Sequence, residues 1–79
     1  IETILPKKKI PLFYLKRTTA YLIVLEGNLN SPKGKLKKND FIKIKPNQNF
    51  WLENKSNEQA KFLSIDIPKI KDSDIIWVK

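Results

Sequence analysis

Apolar and polar residues alternate with a period of two along much of the chain. The plainest stretches are Phe41-Ile42-Lys43-Ile44-Lys45 and Leu63-Ser64-Ile65-Asp66-Ile67, and such alternation sends successive side chains to opposite faces of a strand. No window keeps the i, i+3, i+4, i+7 apolar stripe of an amphipathic helix with caps at both ends. Abundant Ile and aromatic residues favour strands further. The five prolines, Pro6, Pro11, Pro32, Pro46 and Pro68, each stand at the edge of an apolar segment, where a missing N–H does least harm to a sheet. Polar turns separate the segments. Ser31-Pro32-Lys33-Gly34 has Pro and Gly where a type I turn wants them, and Lys38-Asn39-Asp40 offers Asn for a left-handed residue. Asn47-Gln48-Asn49 and Lys55-Ser56-Asn57-Glu58 are further breaks. The pattern predicts strands over 10–15, 20–25, 29–30, 41–44, 50–53, 60–67 and 75–78. Short strands at this spacing predict an all-β sandwich or barrel.

The chain has 79 residues, of which 41% are hydrophobic and 30% charged. That is enough for one core, so residues 1–79 are expected to form a single domain. Residues 1–9, with the run Lys7-Lys8-Lys9, read as a basic, solvated N-terminal arm. The longest run of large apolar side chains, Tyr21 to Leu25, is far short of the roughly 20 residues that cross a bilayer as a helix. No signal-peptide core is visible, so the expectation is a cytoplasmic protein without membrane contact. The chain opens on Ile1 rather than Met, which suggests a trimmed product or a piece of a longer one.

Composition removes several chemistries. There is no Cys and no His, which excludes disulfides, thiol nucleophiles, zinc ribbons, His-ligated metals and Ser-His-Asp triads. Ser and Thr then have no base to activate them. Sixteen Lys and Arg against eight Asp and Glu give a net charge of +8, the footprint of many nucleic-acid binders. Yet Arg17 is the only arginine, and Lys, Asn and Ile together dominate, as A/T-rich coding alone would produce. A single-stranded nucleic-acid module of this size needs aromatics alternating with cations on one exposed strand face. The segment 41–45 alternates mainly aliphatic with Lys, and Phe50-Trp51 puts adjacent rings on opposite faces. Nucleic-acid binding is therefore the runner-up.

From about Ile10 onward the sequence resembles a cupin, a small β-barrel of jelly-roll type. It is most similar to the C-terminal domain of type II mannose-6-phosphate isomerases, often fused to mannose-1-phosphate guanylyltransferases. The stretch from Leu36 to Asn54 matches the second cupin motif. Asn39-Asp40 stands for its Gly-Asp turn, Lys45-Pro46-Asn47 for its Pro turn, and Glu53-Asn54 for its strand end. The run from Ser56 to Leu63 resembles the polar turn into the next strand, and Ser73-Asp74-Ile75-Ile76-Trp77 the isomerase-type ending. Anchoring the first motif on Glu26-Gly27 places the family's four metal-ligand positions at Phe13, Leu15, Ala20 and Phe50. All four are apolar. The resemblance thus implies a cupin that has lost its metal as a set, needs no cofactor and lacks the metal-dependent isomerase reaction. A one-residue slip of the alignment would move these positions to the other face, to 12, 14, 19 and 49 or to 14, 16, 21 and 51, and neither set makes a metal site.

What remains is a non-catalytic role, binding a sugar or sugar phosphate or supporting carbohydrate metabolism, with an active isomerase as the competing view. Candidate pocket residues are Lys16 and Arg17, which could meet a phosphate at the barrel mouth, and Tyr21 and Trp51, which flank the former metal positions and could stack on a sugar. Solvation for the first pair and core or interface packing for the second are the plainer readings. Glu26 and Glu53 are single carboxylates at strand ends, Asp40 suits a bond to backbone amides in its turn, and Trp77 suits packing or an interface. Asp66 faces either solvent or a pocket, depending on register. The exposed edges of so small a barrel predict a homodimer formed by sheet extension.

Overall fold

The computed structural model describes residues 1–78; Lys79 lies outside them. Nine strands and one turn of 3-10 helix account for the regular structure: β1 (Glu2–Ile4), β2 (Lys9–Leu15), β3 (Thr19–Glu26), β4 (Leu29–Ser31), β5 (Gly34–Leu36), β6 (Phe41–Ile44), β7 (Phe50–Glu53), β8 (Ala60–Ile67), the 3-10 turn Asp72–Asp74, and β9 (Ile75–Trp77). They form two antiparallel sheets, in the orders β1-β8-β3-β6 and β5-β4-β7-β2-β9. Every strand predicted from the alternation is present within a residue or two.

Period-two patterning fills the space between the sheets. β3 sends Ala20, Leu22 and Val24 inward, β6 sends Ile42 and Ile44, and β7 sends Phe50 and Leu52, all buried. These side chains and Leu15, Leu29, Leu36, Ala60 and Phe62 form one core. A bulge in β2 between Ile10 and Phe13 resets the alternation, so that Ile10, Phe13 and Leu15 all reach the interior.

Two strands lie outside the expectation. The segment read as a solvated arm contains β1, which adds an edge to the four-stranded sheet through β8 and buries Ile4. Its lysines, Lys7, Lys8 and Lys9, are exposed, as are Ile1, Glu2, Thr3 and Leu5. Three residues with one inward apolar side chain are too short a pattern to read. The same holds for β5, whose partner β4 turns back across Pro32 and Lys33. There Ser31 Oγ accepts the Lys33 N–H at 3.1 Å and donates to the Gly34 carbonyl at 2.8 Å. Asn39 is left-handed, with φ 75°, and Asp40 Oδ2 accepts the Lys37 N–H at 2.8 Å, both as its turn requires.

Candidate functional site

Between the sheets lies a cavity of about 260 Å³. Phe13 and Leu15 from β2, Ala20 from β3 and Phe50 from β7 all line it. Residues 13 and 15 share a strand face, Phe13 pairs directly with Phe50, and Ala20 projects from the facing sheet. The remaining wall is mostly aliphatic and aromatic, with Leu22, Ile44, Leu52, Phe62, Ile70 and Ile75, and Trp77 from β9 at the rim, 54% exposed. Rings make up one side: Phe13 meets Phe50 edge-on with centroids 6.3 Å apart and Trp77 at 5.7 Å.

A divalent metal needs several oxygen, nitrogen or sulfur donors converging on one point. Phe, Leu, Ala and Phe supply none. The polar lining residues are Glu2, Ser64 and Asp66, and no group of three His, Cys, Asp or Glu among the described residues is placed to hold an ion. The residues present do not fit the metal of a cupin isomerase.

Sequence reasoning left Asp66 undecided. The register decides it: Ala60 and Phe62 point into the core, so Ser64 and Asp66, two and four residues further along β8, do so as well. Ser64 Oγ donates to Asp66 Oδ1 at 2.9 Å. Glu2, beside Phe62 on β1, is the other carboxylate of the lining. These three polar residues were not singled out as a group, and the parity of β8 is the signal that would have found two of them.

The four residues expected to form a ligand pocket are dispersed. Tyr21 and Trp51 each follow an inward residue, Ala20 and Phe50, and in a strand the next residue points the other way. Tyr21 lies on the outer face of the four-stranded sheet, stacked on Phe41 at 6.0 Å with Lys43 Nζ 5.9 Å from its ring. Trp51 lies on the outside of β7, against a shallow groove with Lys9, Pro11, Leu12 and Glu53. Lys16 and Arg17 stand past the end of β2, both exposed. Lys16 donates its backbone N–H to the Asp74 carbonyl at 2.9 Å. Arg17 Nε donates to Asp74 Oδ1 at 3.1 Å, beside Pro68, Lys69 and Lys71 in a second shallow recess. Glu26 accepts from Gln59 at 3.4 Å, and Glu53 lies 4.0 Å from Lys55 Nζ, so each carboxylate is a surface group.

Asp74 is only 3% exposed. Burial by itself raises its pKa, but the Lys71 N–H bonded to Oδ2, the Arg17 guanidinium and the Lys71 charge outweigh it and hold the carboxyl below its ordinary value of 3.8. A depressed folded pKa contributes stability that is present above the unfolded value and lost as pH falls through the folded one. Below about pH 4 the native protein should therefore lose stability more steeply than Asp74→Asn. Urea midpoints between pH 5 and 2 test this, and equal slopes would refute it.

The outer face of the four-stranded sheet is unusually apolar. Register aligns Phe41, Ile23 and Leu63 in one row and Lys43, Tyr21 and Ile65 in the next, with Ile67 opposite Thr19. Phe41, Ile65 and Ile67 are each more than half exposed. Phe41 thus does share its face with a lysine and a second ring, a point the local sequence pattern had obscured.

No family model matches the chain, and no curated protein matches it. Solved structures do. A conserved protein with a double-stranded β-helix domain from Klebsiella pneumoniae aligns with a TM-score of 0.84 at 20% identity, covering 98% of this chain and 70% of that one. A sugar phosphate isomerase of the cupin superfamily from Silicibacter pomeroyi aligns with a TM-score of 0.68 at 21% identity, covering 81% of this chain and 45% of that one. This chain therefore spans less than half of the isomerase. No helix among the described residues is long and apolar enough to cross a membrane. Two antiparallel sheets in this arrangement, matched over nearly the whole chain, make this a small, single-domain protein of the double-stranded β-helix, or cupin, fold.

Proposed function

We propose that the protein is a metal-free, non-catalytic cupin-like domain that binds a small molecule between its sheets, in the cytoplasm. The observation that supports this most is an opening of about 260 Å³ between the sheets, walled by Phe13, Ile70, Ile75 and Trp77 with Ser64 and Asp66 beside them, and floored by the buried Leu15, Ala20 and Phe50. Apolar walls with a few placed polar groups are the usual make-up of a small-ligand site. The resemblance to the mannose-6-phosphate isomerase branch favours a carbohydrate, and the lining disfavours an anionic one. A pyranose could lay its C–H face on Phe13 or Trp77 and offer hydroxyls to Ser64 and Asp66. A phosphate would enter beside two carboxylates and no lining cation, which is unfavourable. Titration calorimetry with neutral hexoses, 6-deoxyhexoses and hexose 6-phosphates tests the reading. Saturable binding of a neutral sugar is the expected result. Isomerase turnover by the pure protein without added metal would overturn it.

We also propose that the protein is a homodimer, joined through the outer face of the four-stranded sheet rather than through an edge. That face has an uncharged aliphatic centre and a rim of mixed sign, Glu26 with Lys43 and Lys61, as an interface between copies requires. Stacked bases would use Tyr21 and Phe41 but not the exposed Ile65 and Ile67. Light scattering at tens of micromolar should give twice the chain mass, and Ile65→Lys should halve it. A monomer mass for the native protein would refute the proposal.

A further inference from the structure

We propose that, among ligands of one shape, the cavity prefers the one that carries a protonated amine, with its ammonium held by Asp66. This rests on reading the cavity as a ligand site, and adds the charge of what enters it. The chain carries +8, from sixteen Lys and Arg. Spread evenly, these would put about three cations on a lining of this size. The lining has none, and it has Glu2 and Asp66. The lining therefore carries charge of the opposite sign to the chain as a whole.

Asp66 is the better placed of the two carboxylates. It is half-buried whereas Glu2 is exposed, and it makes no ion pair among the described residues. Its Oδ1 accepts the Ser64 hydroxyl at 2.9 Å, which fixes the carboxylate while leaving acceptor capacity for an ammonium. In register Asp66 stands beside Ala20 on the neighbouring strand, whose side chain is too short to cover it. Glu2 aligns with Phe62, four residues back along β8, so the acids stand about 13 Å apart along the strand and do not compete for one charge. Between them the Phe13, Phe50 and Trp77 rings form the apolar wall. A carboxylate at one end of an aromatic slot suits an amine by a charge-assisted hydrogen bond and by the attraction of ring faces for cations.

Three probes of one shape isolate the charge: 4-methylbenzylamine, 4-methylbenzyl alcohol and 4-methylbenzoate, cationic, neutral and anionic at pH 7. Each is titrated into isotopically labelled protein at 0.15 M salt while amide and side-chain shifts at Phe13, Phe50 and Ser64 are followed. The amine should bind about tenfold tighter than the alcohol, and the benzoate weakest, although the overall charge attracts it. Asp66→Asn, which keeps an acceptor for Ser64, should erase the amine's advantage and leave the alcohol unchanged. The spectrum itself reports whether the variant is folded. If the alcohol shifts the cavity residues and the amine binds no better, the charge inference fails and the ligand site stands. If the amine keeps its advantage in Asp66→Asn, Asp66 is not the anchor and the proposal fails. If no probe shifts the cavity residues, the ligand-site reading fails and takes the inference with it.

Discussion

Asn54→Ala is expected to remove about 3 kcal/mol of folding stability. Asn54 is fully buried at the end of β7, and its amide is used on every side. Nδ2 donates to the Ile4 carbonyl at 3.0 Å and to the Glu58 carbonyl at 2.7 Å. Oδ1 accepts the Ser56 N–H at 3.0 Å and the Ser56 hydroxyl at 2.7 Å. One side chain thus ties β1 to the turn between β7 and β8. The Ile4 carbonyl is the costly loss, because that bond is buried and water cannot replace it. The Ser56 and Glu58 groups lie nearer the surface and recover part of theirs. Asn54→Asp separates the halves of the network: it keeps the oxygen that accepts both Ser56 bonds, loses both N–H donors, and sets a carboxylate against two carbonyls. It should be at least as unstable as alanine at pH 7 and recover in acid, where the protonated group can donate. A chain of this length has only about 4–12 kcal/mol in all, so the shift in a urea transition would be large. A loss below about 1 kcal/mol would mean that β1 is not held through this amide.

Gly27→Ala should cost a similar amount, for a different reason. Gly27 has φ 79°, a left-handed conformation that costs an L residue about 1–2 kcal/mol. A methyl there would also stand 2.7 Å from the Gln59 carbonyl oxygen and 2.9 Å from the Ala60 Cα. Both obstacles are backbone where the chain enters β8, and Ala60, its first residue, is fully buried, so the strand must move to make room. Overpacking of this kind adds about 1–3 kcal/mol, for a total near 3 kcal/mol. Gly34→Ala is the control. Its φ is 106°, but nothing lies within 4 Å of an added Cβ, so it carries backbone strain alone and should cost clearly less. Equal losses for the two variants would show that strain, not the approach of β8, sets the cost at Gly27.

Both positions stand in the motifs that carry the resemblance, Glu26-Gly27 and Glu53-Asn54, and in both the sequence marks a place without showing its purpose. A glycine after an apolar strand reads as a turn. The backbone that presses on it lies more than thirty residues away. An asparagine at a strand end reads as a polar break, while its partners are Ile4, Ser56 and Glu58. Local pattern carries no information about such long-range partners.

The candidate pocket separates the two levels further. Tyr21 and Trp51 drew attention by adjacency to Ala20 and Phe50, yet adjacency in a strand means the opposite face, and they lie outside the sandwich. Arg17 stood beside Lys16 at the expected barrel mouth, but β2 ends at Leu15 and the chain beyond it no longer follows the strand. Its guanidinium goes to Asp74, 57 residues on. Asp66 shows the converse, since its side was open until the pairing of β8 with β3 was known.

The all-β class and the larger strands were determined by the sequence alone, because period-two alternation is a local property that survives whatever the strands pair with. That positions 13, 15, 20 and 50 carry no metal donor was equally legible, being a matter of residue type. Tertiary structure alone decided that β1 belongs to a sheet, that an opening between the sheets lies over the buried Leu15, Ala20 and Phe50, and that its only charged lining residues are acidic in a strongly basic chain. Each of these depends on which strands stand opposite one another, and that is set by packing among residues far apart in sequence.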